Sequence, residues 1–316
     1  MEDQISLVQS VISKSIEEVE KLVFGQTKCL TSAYIALLSG GHLLLEGVPG
    51  VGKTLMAKSV AKTVGCEFGR IQFTPDLMPL DIIGSSILHE GRFEFREGPV
   101  FTDLLLADEI NRAPAKTQSA LLEAMQENTV TSDSDTHDLS KIFTVIATQN
   151  PIEQEGTYPL PESEIDRFMM KVLVEFPSEE DELKVMKTHH QRTVAINSSD
   201  IQSVIEKEAL ERLRSVVMGV AVSDDVMSYA TNLVRTTRTH VSVMHGASPR
   251  AGIALLKASK ASAAIQGRAF VTPDDVKRWC LPVLRHRLIL KPGAELNGTS
   301  SDDIIRNILA TTPVPT

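Results

Sequence analysis

Cysteine is scarce and unpaired in this chain: Cys29, Cys66 and Cys280 are far apart, odd in number and in no CxxC spacing. That excludes a disulfide framework or a cysteine-held zinc, and all three are expected to be ordinary buried thiols. Basic charge is also in deficit, with 32 Lys and Arg against 41 Asp and Glu and a formal net charge of -9. Such a balance offers no broad footprint for a phosphodiester backbone, so no nucleic-acid partner is expected. Long apolar runs are missing: nothing approaches the roughly 20 residues of a membrane-spanning helix. The start, Met1-Glu2-Asp3-Gln4, is acidic with no apolar stretch behind it, unlike a secretion signal. A cytoplasmic protein without stable membrane insertion is therefore expected. The eight histidines include no HExxH, and the adjacent His189 and His190 would point to different sides of a helix, which argues against metal ligation by histidine.

What is present is apolar periodicity of two kinds. With 316 residues and 42% hydrophobic content, the chain has room for one large core and a smaller one. Over residues 4–22, Ile5, Val8, Ile12, Ile16 and Val19 recur at helical spacing and predict an amphipathic helix. Five short runs then have strand character: 43–45, 71–73, 104–107, 143–147 and 170–174. Several are apolar on both parities, as buried parallel strands are. Helical stretches such as 54–64 and 116–127 lie between them, which predicts an α/β fold with a five-stranded parallel sheet between helices over residues 1–177. After Pro177 the apolar spacing is helical throughout, predicting a smaller all-α domain over 178–290. Its helix starts are marked by Ser178, Ser248 before Pro249, and Thr272 before Pro273. Residues 291–316 read as a tail packing on one of these units, with a short helix over 302–309.

The chemistry begins at Gly47-Val48-Pro49-Gly50-Val51-Gly52-Lys53-Thr54, a GxxxxGK[ST] phosphate loop between the first strand and a helix. Glycines let the backbone curl so that its amides face phosphate, and the helix start adds its positive dipole end. Lys53 is expected to reach the β and γ phosphates of ATP, and the Thr54 hydroxyl to ligate Mg2+, followed by Leu55 at the same site. The run 104–107 ends in Asp108 and Glu109. Asp108 is expected in the magnesium shell, and Glu109 to orient and polarise the attacking water, because phosphoryl transfer needs positioning more than covalent chemistry. Asn150 ends another strand, where it reads either as a contact to water and γ-phosphate or as a plain Asn-Pro turn. Arg167 and Arg250 are candidate cations for the phosphoryl charge, with surface ion pairs as the bland alternative.

In this order, the features resemble the AAA+ ATPases, and more narrowly the MoxR family. The phrases that carry the resemblance are GVPGVGKT (47–54), RIQFTPD (70–76), ADEINRAPAKT (107–117), ATQNPIEQEGTYPLP (147–161), GASPRA (246–251) and VTPDDV (271–276). It spans essentially the whole chain. One departure is Glu162-Ser163-Glu164-Ile165 before Asp166-Arg167-Phe168, where the family more often has Ala-Gln-Leu. The resemblance implies an ATPase with Asn150 as first sensor, Arg167 as a finger reaching a neighbouring subunit's nucleotide, and Arg250 as second sensor on the lid. It implies that Phe24 and Gln26 border the adenine, that subunits form a homo-oligomeric, usually hexameric, ring, and that a protein client and a von Willebrand A domain protein are partners. Slow ATP-gated scaffolding, metal chelatase work and nucleic-acid translocation are the alternatives in related branches. Two hairpins are expected at 85–95, turning at Glu90-Gly91, and at 129–139 with a Ser-Asp-rich turn. They read as plain surface hairpins or as faces toward a ring pore or a partner, with Phe93 and Phe95 as contacts.

Overall fold

A computed structural model describes residues 1–89, 92–132, 135–151, 156–191 and 200–315. The chain opens with helices α1 (Glu2–Glu20) and α2 (Thr27–Ser39), then β1 (Leu43–Gly47), α3 (Lys53–Thr63) and β2 (Phe68–Gln72). A short α4 (Pro79–Ile83) leads into a hairpin of β3 (Gly84–His89) and β4 (Arg92–Glu97). Next come β5 (Leu104–Asp108), α5 (Ala115–Glu127), a second hairpin of β6 (Thr129–Ser132) and β7 (Asp135–Asp138), and β8 (Thr144–Gln149). The first half closes with α6 (Glu162–Ile165) and β9 (Met170–Val174).

Five strands form one parallel sheet in the order β2-β5-β8-β1-β9. Register explains why the strands are apolar on both parities. Leu43 and Leu45 of β1, with Leu104 and Leu106 of β5, enter one core, whereas Leu44, Leu105 and Val145 enter a second core on the opposite face. Three functional strand ends, those of β1, β5 and β8, therefore emerge side by side at the carboxyl edge, where open α/β sheets bind ligands. The sheet comes out as expected, with β2 and β8 displaced by one to three residues from the predicted runs.

The second half is helical: α7 (Glu179–Gln191), α8 (Lys207–Met218), α9 (Asp224–Thr239), α10 (Pro249–Ile265) and α11 (Pro273–Leu284). A small antiparallel pair, β10 (Val243–His245) with β11 (Ile289–Leu290), was not legible in the sequence. Ala251, Ala258 and Ala261 keep α10 thin, so it sits at the centre and packs on α1, α2, α9 and α11. The first core runs without a break from α1 and α2 into α10 and α11, which joins the two halves. The segment expected as a tail forms α12 (Pro292–Leu296) and α13 (Ser301–Thr311), and Ile304, Ile305 and Ile308 of α13 are buried against α9 and α11.

The two hairpins pair as expected, while the turn residues Glu90-Gly91 and Asp133-Ser134 lie outside the described residues. The hairpins are pinned together by Phe95 stacked on His137, ring centroids 4.0 Å apart. Phe95 is half-buried between the hairpins, where it also packs edge-on against Phe101, while Phe93 is 78% exposed. Cys29 and Cys280 are buried as expected, but Cys66 is only half-buried. Burial pushes the Cys29 thiol up to about 11 and those of Cys66 and Cys280 up to about 12, so all three stay protonated. Of the two adjacent histidines, the His189 side chain lies outside the described residues. No helix among the described residues is long and apolar enough to cross a membrane.

Candidate active site

The loop after β1 turns through Gly50 and Gly52, whose φ angles of 85° and 80° favour glycine. A Cβ added at either meets nothing within 4 Å, so the backbone presents an open cradle. Gly47 is constrained differently: a Cβ there would stand 2.5 Å from the Val174 carbonyl oxygen, because β1 and β9 approach closely. Lys53 opens α3 and donates from Nζ to the Gly47 carbonyl at 2.7 Å, arching across the loop. Burial holds the Lys53 ammonium below its ordinary range, while Asp108 and Glu109 pull it back up.

A cavity of about 390 Å³ opens above this loop, lined by Lys53, Thr54, Asp108, Glu109 and Asn150. The five side chains expected to do phosphate chemistry are therefore brought together. Thr54 Oγ1 donates to Asp108 Oδ2 at 3.4 Å, which sets the two candidate cation ligands face to face. An oxygen pair at this spacing beside an ammonium and an open amide cradle fits a magnesium-bound triphosphate.

The two carboxylates are held by partners that the sequence did not pair with them. Thr148, fully buried on β8, donates to Asp108 Oδ1 at 2.6 Å and accepts from the Glu109 amide at 2.9 Å. Glu109 itself sits at φ 55°, a left-handed conformation that a non-glycine residue adopts only when its surroundings impose it. Gln72, at the end of β2, donates to Glu109 Oε2 at 2.7 Å, and Arg112 Nε approaches the same oxygen at 3.1 Å. Arg70 donates to Gln72 Oε1 at 2.7 Å and to Asp108 Oδ2 at 2.8 Å. The signal was available only as polar residues at the ends of strands, and their partners depend on the β2-β5-β8 order.

Beside the phosphate cavity lies a second one of about 420 Å³, sharing Pro49, Gly50, Gly52 and Leu55 with it and walled by apolar side chains including Val23, Phe24, Val51 and Met186. An apolar cavity sharing residues with a phosphate cradle suits a nucleoside. Phe24 and Leu55 line it. Gln26 does not: it is buried and donates to the Glu175 carbonyl at 3.1 Å, which ties the start of α2 to the end of β9 behind the cavity.

Arg167 and Arg250 line neither of these cavities. They share a separate one of about 230 Å³ with Lys257, Arg287 and Asp166. Arg167 donates to Gln126 near the end of α5, and its Nε is buried without a partner among the described residues. The two arginines thus line one cavity, and neither lines the phosphate cavity of its own chain.

A phosphate loop, a strand-end carboxylate pair and a helical lid define the class as a P-loop ATPase. Residues 42–170 match the family model described as ATPase family associated with various cellular activities, and residues 235–308 match that of the AAA lid domain. The chain belongs to the MoxR family of AAA+ ATPases. It is 41% identical to Chaperone MoxR1 of Mycobacterium tuberculosis over 315 residues, spanning 96% of this chain and 82% of that one. It is 43% identical to YeaC of Bacillus subtilis, a protein without assigned function, over 311 residues that span 96% of this chain and 95% of the relative. A crystal structure of a candidate ATPase from Cytophaga hutchinsonii has a TM-score of 0.93 and 42% identity, covering 100% of this chain and 98% of that chain.

Proposed function

We propose that this chain hydrolyses Mg-ATP to ADP and phosphate as a ring-forming subunit, and that turnover remodels or activates a protein partner. The observation that carries this reading is the convergence of Lys53, Thr54, Asp108, Glu109 and Asn150 on one cavity. When bound, Mg-ATP supplies a phosphoric anhydride whose γ-phosphoryl group transfers to water with charge spread over its oxygens. Gly50 and Gly52 leave backbone amides open to phosphate, Lys53 adds a positive charge, and Thr54 with Asp108 would hold the cation. Glu109 is the group that polarises water, with Asn150 orienting it.

The placement of Arg167 and Arg250 away from their own phosphate cavity supports a neighbour as recipient of these cations. An arginine given in trans contributes ~10³–10⁵ in turnover, so assembly and activity are coupled. A closed ring is the assembly in which each subunit both gives and receives such a group, and we take it to be a hexamer. The name Chaperone MoxR1 of the 41% identical relative supports protein remodelling as the work done. A von Willebrand A domain protein is the proposed partner, as the family resemblance implied.

Phosphate release by wild-type and Glu109→Gln protein, each first shown to bind ATP, tests the enzyme assignment. The variant should bind and hardly hydrolyse; equal rates would remove Glu109 from the reaction and this reading with it.

A further inference from the structure

Arg287 follows α11, yet its side chain is only 2% exposed because it is inserted into the other half of the molecule. Its guanidinium donates from Nε to Asp166 Oδ1 at 2.5 Å, from Nη1 to the Met169 carbonyl at 3.0 Å and to the Val283 carbonyl, and from Nη2 to the carbonyls of Asp166 at 3.1 Å and Phe168 at 2.7 Å. His286 Nε2 adds a donor to the Phe168 carbonyl at 3.1 Å. Burial keeps His286 well below its usual titration range, so the ring is neutral and has one N–H to give. Two consecutive lid residues thus grip the backbone on both sides of Arg167.

Asp166 has a second lid partner. Ser248 stands at the start of α10, where a hydroxyl ordinarily caps the helix; here it makes no cap bond and donates to Asp166 Oδ2 at 3.2 Å. Asp166 immediately precedes Arg167, and Ser248 lies two residues before Arg250. One carboxylate therefore sits one residue from the first arginine and is hydrogen-bonded two residues from the second.

We propose that Asp166, clamped between Arg287 and Ser248, is a positioning residue that sets Arg167 and Arg250 in a common register and transmits lid position to them. A guanidinium with five donors in a rigid plane fixes both distance and angle, which an ammonium does not. Any shift of α10 and α11 against the sheet pulls on Asp166 and so on the backbone of Arg167. Misplacement of a transition-state cation by about 1 Å is enough to lower turnover by ~10²-fold. The proposal rests on the reading that Arg167 serves a neighbouring subunit, and the test separates the two.

The test uses the near-isosteric Asp166→Asn as the main variant and Arg287→Lys as the second, with thermal melts to confirm folding. Each is assayed alone and mixed with Glu109→Gln subunits, which cannot hydrolyse but keep their arginines, or with Arg167→Ala subunits. Alone, Asp166→Asn should lose ~10- to 100-fold in kcat with its Kd for Mg-ATP within about twofold of wild type. Mixed with Glu109→Gln it should regain hydrolysis, and mixed with Arg167→Ala it should not. Wild-type kcat in a folded Asp166→Asn, or failure to be rescued by Glu109→Gln when Arg167→Ala is rescued, overturns the proposal. If Arg167→Ala is itself not rescued, the neighbour reading falls. The latch then stands only if Asp166→Asn reproduces the kcat loss of Arg167→Ala at unchanged ATP affinity, and is refuted otherwise.

Discussion

Gln72 donates its side-chain amide to Glu109 Oε2 at 2.7 Å, across from the end of one sheet strand to the end of the next. Arg112 approaches the same oxygen, so the carboxylate proposed to activate water already has two donors on one atom. Each donor occupies acceptor capacity that the attacking water would need, so removing one frees that oxygen. Gln72→Ala is expected to raise turnover without partner roughly threefold. Steady-state phosphate release with ATP KM unchanged would confirm it, and a fall in kcat would show that Gln72 orients Glu109 productively.

Thr148 has a different part, because its single hydroxyl serves both carboxylate residues from a fully buried position. Thr148→Val keeps the shape and leaves the Glu109 amide and one Asp108 oxygen without this partner. About 1–3 kcal/mol of stability should be lost, read by urea unfolding. With both carboxylates freed to shift, kcat should fall by ~10²-fold.

The apolar cavity beside the phosphate loop predicts a binding effect without a chemical one. Phe24→Ala should raise the Kd for ATP by ~10-fold, since removing about 50 Å² of apolar contact is worth about 1.4 kcal/mol. Titration with a fluorescent ATP analogue measures it. An unchanged Kd would mean that the base lies elsewhere.

Acid sensitivity should trace partly to His42. It is buried between β1 and β8, where Nδ1 accepts from the Val145 amide at 3.0 Å and Nε2 donates to the Met125 carbonyl at 3.1 Å. Desolvation pushes it down to about 4 from 6.5. The folded value lies below the unfolded one, so the unfolded chain takes up the proton first. The contribution of His42 is complete above pH ~6.5 and declines as pH falls toward 4, by up to about 3 kcal/mol. In His42→Asn the loss of stability between pH 7 and pH 4 should be smaller than in wild type by about that amount, measured by urea melts at both pH values. Equal losses would exclude His42.

How much of this was legible before the structure depends on the range of each interaction. The loop 47–54, the carboxylates after 104–107 and the helix starts are signals within one strand or turn, and they fell where their spacing placed them. Arg70, Gln72 and Thr148 act across neighbouring strands, and no local pattern says that β2, β5 and β8 lie side by side. Ser248 read as a helix cap because Pro249 follows it, but tertiary contact with Asp166 redirects its hydroxyl. Gln26, placed at the base only by the family resemblance, bridges to Glu175, since its direction depends on how α2 packs against β9. The cavity shared by Arg167 and Arg250 depends on docking of α10 and α11 against the sheet, information that spans more than 80 residues of chain.

The central claim is that Mg-ATP occupies the cavity where Lys53, Thr54 and Asp108 meet. Calorimetric titration of wild-type protein and of Lys53→Ala with Mg-ATP tests it most directly. The account predicts saturable heat with up to one nucleotide per subunit for the wild type and none for the variant. No heat from the wild type, or the same isotherm from both proteins, would contradict it.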